Sequence, residues 1–115
     1  MKIRFVADTN LTRSMGLMNQ KPLEKNECAY FYFERQGRHS FWNKNVDFPI
    51  SLMFCNASGE VKDIRYLAAH QMSGVSPSSY DIVHVVEAHR DAPEQFGIKK
   101  GSKLIIKNRE IVFED

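Results

Sequence analysis

The chain is built of short runs in which apolar and polar positions alternate, punctuated by turn residues at close intervals. In KIRFVAD, Ile3 and Phe5 point one way and Lys2, Arg4 and Val6 the other, the period of a half-buried strand. Asp8, Thr9 or Asn10 can then cap a helix through a side-chain oxygen. Leu11, Met15 and Met18 follow at helical spacing, which predicts a helix of about two turns with methionines as core filler. Gly16 weakens it, and it is expected to break near Asn19 and by Pro22 at the latest. The aromatic run ECAYFYFERQG suits a pleated surface, with Arg35 to Arg38 as a hairpin connection and HSFWNKN returning as the partner strand.

ISLMFC reads as a buried strand, Asn56 to Gly59 as a turn, and EVKDIRYLAA as a strand of imperfect alternation. His70 to Ser79, with Gly74, Pro77 and four serines, is a loop suited to a surface contact. YDIVHVVEA is the next strand. DAPEQFG predicts a short helix, with Asp91 and Glu94 as a capping box, Pro93 in the first turn and Gly97 at the stop. KLIIK and EIVFED complete the series, joined at Asn108-Arg109. The expected architecture is mostly β (α+β): one antiparallel or mixed β sandwich or small barrel over residues 1–115, with seven or eight strands and two short helices. A doubly wound fold would need long helices between strands, and the pattern contains none.

Charge and composition narrow the function classes. The net charge is +2, from 16 basic and 14 acidic residues spread along the chain, and no basic stripe forms, so no nucleic-acid partner is expected. No apolar run approaches the length of a membrane span. Asp8 comes before any signal-peptide core could form. The expectation is a cytoplasmic or virion-associated protein. Cys28 and Cys55 fit no metal spacing and no C-x-x-C pair, and read as buried thiols.

Four histidines offer metal chemistry only in letters. HVVEAH has the wrong order and spacing for a helical zinc motif, and on a strand His84 faces away from Glu87 and His89. No metal or cofactor is expected. No G-x-S-x-G elbow, recognisable base for a serine or glycine-rich phosphate cradle is present, so no catalytic residue is assigned and the residues lean away from an enzyme. One stretch stands out: HSFWNKNVDFPI, with the only tryptophan. Read as a strand, it puts Ser40, Trp42 and Lys44 on one face and His39, Phe41, Asn43 and Asn45 on the other. Trp42 is expected to anchor the core, with Asn45 to Pro49 setting a turn. Lys44 can lay its stem along the indole.

Gly16-Leu17-Met18, HSFWNKNVDFPI and VVEAHRDAPEQFGIKKG, in this order and spacing, resemble the family known as domain of unknown function 192, from about Asp8 to Ile106. The resemblance implies a β-rich domain with short helices and brings no established activity, substrate or cofactor. Relatives occur in bacteria, archaea and some bacteriophages. The departures are specific. Met15 stands where the family has arginine, Asn43 and Val46 replace methionine and threonine, Cys28-Ala29 replaces glycine-methionine, and Ser51 and Ser102 replace aspartates. Two functions follow as expectations. The first is a non-enzymatic docking or structural module, acting through a protein partner or self-association, of which a phage-type assembly component is one form. The second is a small-ligand binder or enzyme using Trp42, Lys44, Asn45 and Glu87 as one pocket.

Overall fold

The computed structural model describes residues 1–115. Seven strands and two short helices follow one another as β1 (Lys2–Ala7), α1 (Asn10–Met15), β2 (Glu27–Gly37), β3 (Ile50–Asn56), β4 (Val61–Leu67), β5 (Ile82–His89), α2 (Ala92–Gln95), β6 (Lys103–Lys107) and β7 (Glu110–Glu114). They form one mixed sheet in the order β4-β3-β5-β2-β1-β7-β6. Only the β1–β2 pair is parallel. The sheet curls into a half-barrel. Its two edge strands approach where Leu104 N–H donates to the Gly59 carbonyl at 2.7 Å and Val61 N–H to the Ser102 carbonyl at 2.8 Å. Gly59 fits that seam because its φ is +90° and a Cβ there would sit 2.9 Å from the Leu104 carbonyl oxygen.

Both faces of the central strands are covered, which explains why ISLMFC is buried throughout rather than alternately. On one face Phe31, Leu52, Phe54 and Val85 meet Leu17, Leu23, Phe41, Val46 and Phe48 from the connecting segments. On the other, Cys28, Met53, Cys55 and Val86 meet Ala92, Ile98, Leu104 and Ile111. Both thiols are fully buried, and burial pushes each to about 12. No helix is long and apolar enough to cross a membrane.

Several local expectations change. A register shift between Ile3 and Phe5 in β1 breaks the simple alternation, so Ile3 and Phe5 pack in different clusters. β2 runs on through Gly37, because its partners are β1 and β5 rather than a hairpin strand. Residues 39–48 are therefore irregular, pairing only with the loop between β4 and β5 through an isolated bridge between Phe41 and Val75. In α1, Thr9 and Thr12 form the capping box, while Leu11 and Met15 are exposed and Leu17, beyond the helix, enters the core instead. The methionine stripe fails because the helix stops at Met15, before Met18 can continue its face. Asp91 is the N-cap of α2 but makes no capping bond; its carboxylate lies beside Arg90 and His89. Asn108 and Arg109 turn β6 into β7 with φ of 53° and 60°, the left-handed pair of a tight hairpin.

Candidate functional site

One cleft of about 330 Å³ opens on the face covered by α1 and residues 40–46. Its position follows from local sequence chemistry. The Thr9 cap starts α1, Gly16 ends it with φ +49°, and Arg13, Ser14 and Met15 become one wall. The opposite wall is the irregular segment 40–46. Asn43 holds it in place: 1% exposed, it donates through Nδ2 to the carbonyls of Phe48 at 3.0 Å and Ala68 at 2.9 Å. Phe41 plugs into the core beside it, edge-on to Phe31 and Phe54.

This arrangement overturns the assignment of Trp42 to the core. Phe41 is 9% exposed and Trp42 is 45% exposed at the mouth of the cleft. Asn43 must turn inward to reach the two carbonyls, so its neighbours Trp42 and Lys44 turn outward. The Lys44 ammonium lies 5.4 Å from the Trp42 ring centre, and Lys44 makes no ion pair.

Arg13 is bound more tightly. Its guanidinium donates to the Tyr32 carbonyl at 2.7 Å and to Asn10 Oδ1 at 3.0 Å, approaches Glu34 at 3.5 Å, and sits 5.1 Å from the centre of the Phe33 ring. His39 stacks on the same ring at 3.6 Å between centroids. Two hydroxyls line the cleft and both are engaged, Ser14 with the Leu11 carbonyl and Ser40 with Ser76.

Glu87 is the site's unusual residue. It projects from the middle of β5, between Ala29 of β2 and Leu52 of β3, onto the apolar face. It is 4% exposed and lines the cleft, and its carboxyl receives no hydrogen bond from the protein; because no fully buried side-chain oxygen lacks a partner, its oxygens keep contact with the open cleft. Burial in these apolar surroundings pushes it up to about 8, so the acid is mostly neutral at pH 7. A buried carboxyl without a partner is costly and uncommon away from functional sites.

The structure therefore brings together three of the four residues singled out in the sequence. Trp42, Lys44 and Glu87 line one cleft; Asn45 does not. Asn45 takes φ 58° in a turn and faces a separate, wholly polar depression with Asn19, Gln20, Asp47 and His70. Arg13, Phe31, Phe33 and Phe41 were not singled out, and strand parity could have flagged Phe31 and Phe33 only once β2's neighbours were known. The departures noted above also acquire positions. Met15 lines the cleft where an arginine was expected, and Arg13 supplies a guanidinium from two residues earlier. Ser51 lies away from the cleft, donating to the His89 carbonyl at 2.9 Å, so its exchange for aspartate removes nothing from the site. His84 sits on the face opposite Glu87, with its Nδ1 2.7 Å from the Tyr30 hydroxyl.

A curled mixed sheet with a helix-flanked cleft over one face defines a β-rich half-barrel domain. The chain belongs to the DUF192 family, "Uncharacterized ACR", whose model matches residues 3–106. Two solved structures share the fold. A protein of unknown function from Novosphingobium aromaticivorans is 22% identical with a TM-score of 0.81, over 88% of this chain and 73% of that one. A Sinorhizobium meliloti protein described as a "putative transcription regulator" is 20% identical with a TM-score of 0.80, over 85% and 76% of the two chains. A search of curated proteins gave no match.

Proposed function

We propose that this protein is a small-ligand-binding domain and that the cleft between α1 and residues 40–46 is its binding site. The observation that carries the reading is Glu87, a buried carboxyl with no protein partner on the floor of a cleft lined by Phe31, Phe33 and Phe41. Apolar walls with one or two convergent polar groups, in a volume of a few hundred Å³, are the usual make-up of a small-molecule site. The engaged state of Ser14 and Ser40 favours binding over nucleophilic catalysis.

A panel of amines, carboxylates, neutral aromatics and sugars, titrated against wild type and read by Trp42 emission, tests the reading. Trp42 is the only indole and stands at the mouth. The expected result is at least one binder whose binding, followed by isothermal titration, is lost in Ser14→Trp, which fills the cleft from α1 and adds a second indole. A panel without a binder, or binders indifferent to Ser14→Trp, would overturn it.

A second reading retains docking on a protein partner. It is supported by the exposure of Met15 and Trp42 at the mouth and of Leu11 on the same short helix. Loss of a purified partner's binding in Leu11→Ser, with small-molecule binding intact, would favour it. Under either reading a cytoplasmic setting is proposed, and no feature supports an assembly role in a virion.

A further inference from the structure

Resting on the small-ligand reading, we infer that the cleft takes an organic ammonium: a singly charged amine whose cation meets the Glu87 carboxylate while its apolar body lies against the aromatic walls. Three observations converge on this chemistry. The carboxyl has apolar cross-strand neighbours on both sides, Ala29 and Leu52, so any ionic partner must come from the ligand.

The lining is also aromatic, and ring faces attract cations. Two cations of the chain already use the outer rings, Arg13 at Phe33 and Lys44 at Trp42, while Phe31 and Phe41 lie deeper. An anionic ligand head gains nothing from the ring faces, and its charge complement is Arg13 and Lys44 at the mouth rather than the floor. The third observation is the charge at the mouth. Arg13 from α1 and Lys44 from the 40–46 segment are the other charged groups lining the cleft, and both are positive. They repel a second cation on the ligand and tolerate an anion, which selects monoamines and amino-acid-like zwitterions over diamines. A site of about 330 Å³ comfortably exceeds a cavity that holds benzene, roughly 150 Å³, leaving room for a side chain and an amine.

Binding carries a proton signature. Glu87, held near 8 by burial, is mostly protonated at pH 7, and pairing with an ammonium requires the carboxylate. Uptake of the amine therefore releases close to one proton at pH 7, and affinity rises up to about tenfold per pH unit below 8.

Isothermal titration of the full chain with 2-phenylethylamine, 3-phenylpropionate and 1,5-diaminopentane tests the assignment, in buffers of different ionisation enthalpy. The expected result is that 2-phenylethylamine binds at least tenfold more tightly than the other two, with proton release at pH 7. Glu87→Gln, a neutral isostere, should weaken the amine at least tenfold and abolish proton release. Tighter binding of 3-phenylpropionate, amine binding without proton release, or affinity unchanged in Glu87→Gln overturns the ammonium assignment. If such a ligand is still lost in Ser14→Trp, the cleft remains a ligand site and only its ligand class is wrong. If none of the three probes binds, the ammonium assignment falls, and the broader panel decides whether the cleft binds any ligand.

Discussion

Glu87 should make this protein lose stability as pH rises, the reverse of what most paired carboxylates do. In the unfolded chain its carboxyl titrates at about 4.5; in the folded protein burial moves it to about 8. Between these values the folded state holds a proton that the unfolded state has released, so unfolding is favoured by rising pH. The contribution is fully stabilising below 4.5, declines through the interval and levels off above about 8. At about 1.4 kcal/mol per pH unit, the full interval amounts to about 5 kcal/mol and the part up to pH 7 to about 3 kcal/mol. Against a total stability of roughly 5–15 kcal/mol, that is a large share. The perturbation is Glu87→Gln, which keeps the shape and removes the titration. Urea unfolding followed by far-UV circular dichroism at pH 5, 6, 7 and 8 gives the comparison, and the other carboxylates cancel in the difference between variant and wild type. The variant should gain on wild type by about 3 kcal/mol from pH 4.5 to 7, a relative shift of roughly 2 M in urea midpoint. Parallel pH profiles for the two proteins would refute the placement of Glu87 as a buried, unpartnered acid.

Three further substitutions probe the frame around the cleft. Phe41→Ala should cost about 3–5 kcal/mol in urea unfolding, whereas the exposed Trp42→Ala should cost under about 1 kcal/mol; equal losses would restore Trp42 to the core. Asn43→Ala leaves the Phe48 and Ala68 carbonyls without their donor and should cost about 2–3 kcal/mol, while any ligand of the cleft weakens as its wall loosens. Gly59→Ala forces a left-handed backbone and a clash with the Leu104 carbonyl, which should cost about 1–3 kcal/mol and speed hydrogen exchange at the Leu104 amide; unchanged exchange there would mean the seam does not depend on Gly59.

Strand existence was legible in the sequence because it is written locally, as period-2 alternation in KIRFVAD and as short apolar runs bounded by turn residues in ISLMFC, YDIVHVVEA and KLIIK, without reference to partners. The mostly β class, the two short helices, the Thr9-region cap and the buried thiols follow from such local chemistry. Partner choice does not. Whether Gln36 and Gly37 continue a strand or turn it depends on β5 lying alongside, some 45 residues further on. The same dependence hid the site. Trp42 is the larger ring, and size alone favours it for the core, but Asn43 satisfies two carbonyls inside the fold and so fixes which neighbours face outward. Glu87 sits in a strand buried on both faces; its isolation comes from Ala29 and Leu52, which only the sheet order places beside it. What the chain determines by itself is the set of elements, through periodicity and capping. What only tertiary structure decides is which side chains share a cleft and which buried charge is left without a partner, because both are fixed by neighbours distant in sequence.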